Sequence, residues 1–249
     1  MAPRTRQGLD DDGLYNRVRD ERDACGFGMV AQLDDQPSRS LVDTAIAALS
    51  RMTHRGGVAA DGLTGDGCGL LIRKPDAFLR GLARDAGITL GTRYAAGVVF
   101  LPLDDADAAR CRAELEAQVQ RAGAHARGWR VVPTNEAVCG QLARDTLPRI
   151  EQLFVDAGAE QTEDGFTLAL FLARRRAEQA LHTVEDFYVT TLSPSGISYK
   201  GMVLPDKLNT FYPDLQRSDL SSSAIVFHQR FSTNTLPRWP LAHPFRMLA

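Results

Sequence analysis

Apolar runs of strand length, interleaved with apolar faces of helical period, constrain this chain of 249 residues more than any other feature. Ala95–Leu101 is an unbroken apolar run that reads as a buried strand, ended by Pro102, which cannot donate to a ladder. Cys25–Leu33 is a second strand candidate, with glycines that let its backbone lie close to a neighbour. Leu41, Ala45, Ile46, Leu49 and Met52 share one face of a predicted helix that runs out into His54-Arg-Gly-Gly57. Asp104 or Asp105 can cap another helix, with Ala108, Cys111, Leu115 and Val119 on its inner face. Leu70–Ile72, Trp129–Val132 and Ala224–His228 add short strands, and Leu147–Val155 is expected to be helical. Phe166–Ala180 stays open between strand and helix. Asp186–Leu192 and Ile197–Leu204, flanking Ser193-Pro-Ser-Gly196, predict a hairpin. This mixture favours an α+β fold over a doubly wound sheet.

Charge and cysteine usage narrow the function classes. A formal net charge of -2 gives no reason to expect nucleic acid or an anionic membrane as partner. No apolar run approaches the roughly 20 residues that span a bilayer. Residues 1–24 carry basic groups without a following apolar region. Asp10, Asp11, Asp12, Asp20, Glu21 and Asp23 further argue for a solvated leader rather than a targeting segment. Cys25, Cys68, Cys111 and Cys139 are widely spaced, with no C-x-x-C pair and no metal-ligand spacing. Reduced thiols in a cytoplasmic protein are therefore expected, with Cys111 and Cys139 as small buried hydrophobes. The end, Trp239–Ala249, becomes apolar as it stops, so a continuation is expected.

Four places could carry chemistry, each with a bland reading beside it. Ala24-Cys25-Gly26 puts a thiol after a small residue. If the preceding bond is cut, the freed α-amine, with a pKa of about 7.7–8.0, can relay a proton. Buried cysteines are nonetheless common. Gly62–Gly69 lacks the pattern of a phosphate loop and reads first as a tight loop into the next strand. A functional version would pass close to a catalytic centre. His54-Arg55-Gly56-Gly57 would ordinarily be a charge interaction at a helix end. In His228–Asn234, Arg230 suits bidentate capture of an amino-acid carboxylate, the bland alternative being a surface ion pair.

Taken together, the motifs resemble a known family. They are Cys25-Gly-Phe-Gly28, Thr53-His-Arg-Gly-Gly57, Ala60-Asp-Gly62 with Thr64-Gly-Asp-Gly67, Tyr199-Lys-Gly-Met202, Phe211-Tyr-Pro-Asp-Leu215 and His228-Gln-Arg-Phe-Ser-Thr-Asn-Thr235. Their order and spread are similar to class II glutamine amidotransferases of the glutamate synthase type, within the N-terminal-nucleophile hydrolases. The resemblance implies a four-layer αββα sandwich of mainly antiparallel sheets, incomplete at the C-terminus. It implies a propeptide over 1–24 and a partial amidotransferase domain over 25–249. It assigns Cys25 as nucleophile with its freed amine as proton relay, and Arg230 to the glutamine α-carboxylate. Thr233 and Asn234 would line the same pocket, with Arg55 and Gly56 beside it. No cofactor or metal is expected here. FMN and an iron–sulfur cluster would belong to a synthase region that aminates 2-oxoglutarate, with the rest of the large subunit and a small subunit as partners.

The family continues past this point with a His-Asn-Gly segment that supplies the oxyanion hole, where each donor is worth on the order of 10²–10³ in rate. The 249 residues alone are therefore expected to show little or no glutaminase activity and to retain Met1–Ala24. Two alternatives remain. One is an inactive truncated or split-gene fragment acting with a complementing polypeptide. The other is a cysteine hydrolase using His228 or His54 as base. Cys68 departs from the small residue that the family pattern suggests.

Overall fold

The computed structural model describes residues 25–232 and 234–246. The elements in chain order are β1 (Gly26–Ala31), α1 (Arg39–Ser50), β2 (Thr64–Arg73), α2 (Asp76–Asp85), β3 (Tyr94–Leu101), α3 (Asp105–Arg121) and β4 (His125–Val131). They continue with α4 (Gln141–Asp145), β5 (Arg149–Asp156), α5 (Glu163–Ala180), β6 (Tyr188–Val189), β7 (Gly196–Val203), α6 (Leu208–Phe211) and β8 (Ala224–Gln229). They build two four-stranded antiparallel sheets, ordered β1-β8-β2-β7 and β4-β5-β3-β6. This is the expected α+β class, with two sheets and helices packed on them.

The periodicity of the sequence explains the packing. Along β3, Tyr94, Ala96, Val98 and Phe100 point into a core shared with the first sheet, α1 and α2. Ala95, Val99 and Leu101 point the other way, against α3 and α5. Asp104 caps α3 by accepting from Asp107 N at 2.9 Å. The predicted inner face of α3 is buried as expected, with Gln118 added. α1 begins at Ser38, whose hydroxyl accepts from Leu41 N, and buries Leu41, Val42, Ala45 and Leu49. Phe166–Ala180 resolves as helix, within α5.

Three expectations fail for identifiable reasons. Leu147–Val155 is largely strand β5, buried on both faces from Ile150 to Val155. Its polar residues obscured the alternation, yet both are partnered: Glu151 accepts from Arg112 at 2.8 Å and Gln152 from Arg130 at 2.9 Å. Gly62–Gly69 is not a loop throughout, because β2 begins at Thr64 and carries a register shift between Thr64 and Cys68. Gly67 sits there at φ 117°, and an added Cβ would lie 2.7 Å from the Cβ of Ala242.

The Asp186–Leu204 region is not a hairpin either. β6 pairs with β3 in one sheet and β7 with β2 in the other. The buried Thr190 and Thr191 hold the crossing: Thr190 Oγ1 donates to Val98 O at 2.9 Å, and Thr191 Oγ1 accepts from Ser198 N at 3.2 Å. Side-chain hydroxyls thus supply bonds that a ladder would have made.

Candidate active site

β1 has β8 as its sheet neighbour, and the register Gly26↔Gln229 brings Cys25 to the point where β8 ends. Its Sγ accepts a hydrogen bond from Phe231 N at 3.2 Å and donates to Phe231 O at 3.7 Å. The thiol is half-buried, whereas Cys68, Cys111 and Cys139 are buried. Burial pushes the Cys139 thiol up to about 11 and raises those of Cys68 and Cys111 as well. Cys68 Sγ donates to Val203 O at 3.3 Å, so the residue that departs from the family pattern is packed and satisfied.

Arg230 follows directly on β8 and is buried. Its backbone N–H donates to Gly67 O at 2.8 Å, Nη1 to Asp66 O at 3.2 Å and Nη2 to Thr235 Oγ1 at 2.5 Å. Asp66 locks the two segments that flank the thiol. Its Oδ2 accepts from Gly57 N at 3.1 Å and from Ser232 N at 2.7 Å. Gly56 makes room for Gln229: a Cβ there would stand 1.6 Å from Gln229 Nε2, which itself donates to Arg230 O at 3.1 Å. Arg55 lies over the strand start, its Cβ being 3.1 Å from where a Cβ on Gly26 would fall. The bland reading of Arg55 as a helix-end charge is only part of its setting. It belongs to the short turn Thr53–Arg55 beyond α1, against the start of β1.

Cys25, Arg55, Gly56 and Arg230 therefore converge. Asn234 is exposed, and among the described residues no hydrogen bond ties it to Cys25 or Arg230. The expectation for Thr233 falls outside the described residues.

Sequence reasoning passed over Asp66, His243 and Lys200. Asp66 and Lys200 were each inside a motif that could have signalled them. The setting of Lys200 and His243 depends on the turn Trp239–Leu241 folding back. Lys200 Nζ donates to Pro240 O and to Ala242 O, both at 2.8 Å, and so pins this segment. Burial, and then the charges of Arg246 and Arg230, hold the Lys200 ammonium well below the usual lysine range. His243 Nδ1 lies 3.0 Å from His228 Nε2, and the ring of His228 stacks on Phe27. Burial lowers both histidines to about 4; His243 helps to depress His228, and Arg230 and Lys200 help to depress His243. Among the described residues the cysteines do not converge, and the one cluster of ligand-bearing side chains contains Cys25 alone of them. That does not fit an iron–sulfur cluster.

A half-buried thiol at the start of the edge strand of one of two antiparallel sheets, with a buried arginine at the end of the neighbouring strand, marks a candidate site for cysteine chemistry. Comparison of the sequence gives the family: the chain belongs to the class II glutamine amidotransferases, whose profile, described as "Glutamine amidotransferases class-II", matches residues 25–249. It is similar to the glutamate synthase (NADPH) large chains of Azospirillum brasilense, 44% identical over 239 residues, and Bacillus subtilis (strain 168), 36% identical over 238. It is also 39% identical over 236 residues to the chloroplastic/mitochondrial ferredoxin-dependent glutamate synthase 1 of Arabidopsis thaliana. These alignments take in 94%, 95% and 93% of this chain, but only 16%, 16% and 14% of the respective relatives. No described helix is long and apolar enough to cross a membrane.

Proposed function

We propose that this chain is the glutamine-splitting part of a glutamate synthase, with Cys25 as nucleophile once residues 1–24 are removed. The observation that carries this is the seat of the Cys25 thiol at the β1–β8 join, bonded to Phe231 N and beside the buried Arg230. In this reading the Cys25 sulfur attacks the side-chain amide carbon of glutamine. The thiol proton passes through the freed α-amine to the departing nitrogen, which leaves as ammonia. Water then adds to the glutamyl thioester, releasing glutamate and restoring the thiol. The α-amine, near pKa 8, suits this relay at neutral pH. His228, held near 4, is a poor base there, which weighs against the Cys–His alternative.

Arg230 has guanidinium N–H groups beyond the two already bonded, and these would receive the glutamine α-carboxylate. Thr233 and Asn234 would line the pocket, Gly56 would keep Gln229 in place, and Arg55 would border it. The ammonia would pass to a synthase region carrying FMN and an iron–sulfur cluster. The rest of the large subunit and a small subunit would be partners, all in the cytoplasm, with nucleic acid and membrane playing no part.

The test is labelling by a glutamine analogue whose side-chain amide is replaced by a chloroketone, on a chain that begins at Cys25. Labelling is expected at Cys25, slowed by glutamine, slowed by Arg230→Ala, and at least about 100-fold slower when Ala24 is retained. Equal rates with Ala24 present and absent, without protection by glutamine, would refute the proposal.

A further inference from the structure

Four widely spaced cysteines offer no metal-ligand pattern along the chain, but folding makes one. Cys25 immediately precedes β1, His228 stands near the end of β8, and His243 is brought back by the turn that Lys200 pins. One ligand atom from each lies within 4.8 Å of the other two, and the two histidine nitrogens are 3.0 Å apart. In a tetrahedral zinc site, with Zn–N of about 2.0–2.1 Å and Zn–S of about 2.3 Å, neighbouring donor atoms are roughly 3.3–3.6 Å apart. The difference is about 1 Å, which falls mainly to rotation of the Cys25 side chain, since the rings are packed.

We propose that Cys25, His228 and His243 form a three-ligand site for a soft divalent cation of the zinc class, and that its occupation blocks the thiol. The inference rests on the reading of Cys25 as nucleophile for its inhibitory meaning, but not for the binding itself.

Several features of the setting favour a cation here. The rings are held in place: His228 stacks on Phe27 at 6.1 Å between centroids, and His243 is T-shaped against both His228 and Phe245 at 4.3 Å. Two facing nitrogens 3.0 Å apart can share only one proton, and a cation between them would use both lone pairs. His228 Nδ1 is buried without a partner, so this ring gains nothing by turning its other nitrogen to the protein.

The nearby Arg230 and Lys200 oppose a cation, and the described cluster contains no carboxylate. Binding therefore depends on Cys25 giving up its thiol proton to solvent and ligating as thiolate. That requirement selects zinc, cobalt or cadmium over magnesium and calcium, which prefer oxygen. Three protein ligands leave the fourth position to water, reached through the half-buried Cys25 and His243.

The experiment titrates Co²⁺ into the full 249-residue chain, followed by absorption, with Zn²⁺ as competitor. Expected are one Co²⁺ per chain, a thiolate-to-cobalt charge-transfer band, visible bands of tetrahedral intensity, and displacement by Zn²⁺. Cys25→Ser should abolish the charge-transfer band. His228→Asn and His243→Asn should each weaken binding at least about tenfold, while His182→Asn, on an exposed residue elsewhere, should leave it unchanged. Because a variant can fail to fold, alkylation of Cys25 in the unmodified chain is a second readout. Zn²⁺ should slow it at least about tenfold, and a chelator should restore it.

Absence of the charge-transfer band, or Zn²⁺ leaving Cys25 alkylation unchanged, overturns the inference. If the glutamine analogue labels metal-free Cys25 but cobalt does not bind, the metal site fails and the glutaminase reading stands. If cobalt binds through Cys25 and the analogue does not label, the reverse holds.

Discussion

Replacing Asp214 tests what joins the two sheets away from the thiol. Its carboxylate accepts both arms of Arg130 on β4, at 2.6 and 2.8 Å, and the hydroxyl of Tyr199 on β7 at 3.1 Å. Arg130 also donates to Gln152 on β5 at 2.9 Å, so one buried cluster spans both sheets. The side chains are 13% and 3% exposed for Arg130 and Asp214, which leaves little water to compensate a loss. Asp214→Ala strands a buried guanidinium and a buried hydroxyl, at a cost of about 4 kcal/mol. At about 2–4 °C per kcal/mol for a chain of this size, the melting point should fall by about 8–16 °C.

Urea unfolding followed by tryptophan fluorescence measures the same loss as a lower midpoint with an unchanged slope. The triple replacement Arg130→Met, Asp214→Leu and Tyr199→Phe is a sharper test. It removes charges and hydroxyl together and should recover most of the stability, because the cost comes from orphaned groups rather than from the worth of the pair. A loss below about 1 kcal/mol for Asp214→Ala, or a triple variant as unstable as the single one, would refute this reasoning.

Two further outcomes follow from the backbone and the thiols. Gly67→Ala should cost about 2–4 kcal/mol, since φ 117° and the contact at Ala242 both oppose a side chain. Gly87→Ala, at φ 72° with open space around it, should cost about 1 kcal/mol; equal losses in thermal unfolding would show that the contact is unimportant. Iodoacetamide at pH 8, read by peptide mass, should modify Cys25 and spare Cys68, Cys111 and Cys139. With the Cys139 thiol near 11, only about one molecule in a thousand is thiolate at that pH, and the fraction rises with pH. Modification of Cys139 at the rate of Cys25 would contradict the burial described.

Legibility in the sequence followed the simplicity of each segment's surroundings. β3 and α3 could be read residue by residue, because their neighbours on each side are apolar and one period describes each. β5 could not, since Glu151 and Gln152 are buried only by virtue of Arg112 and Arg130, which come from distant segments. The Ser193-Pro-Ser-Gly196 turn announces a reversal but not that the chain changes sheets there, which depends on the hydroxyls of Thr190 and Thr191. At the candidate site, Cys25, Arg55, Gly56 and Arg230 carried recognisable motifs. Asp66 was inside such a motif, but its role as a lock depends on Gly57 and Ser232 meeting in space. His243 had no signal at all, because its place is set by carbonyls held on Lys200.

The strand order has a consequence for how the chain is born. The second sheet and its helices α3 and α5 come from one continuous stretch, 94–189, and can close while later residues are still being made. The first sheet cannot, because β8 is inserted between β1 and β2, and the Cys25–Phe231 contact spans 206 positions. Until residues 224–229 are made, β1 lacks its sheet neighbour, and its thiol has neither backbone partner nor arginine. Assembly of the Cys25 end thus waits for β8. A ribosome that stalls before residue 224 releases a half-sandwich with an exposed strand, a natural substrate for chaperones and proteases.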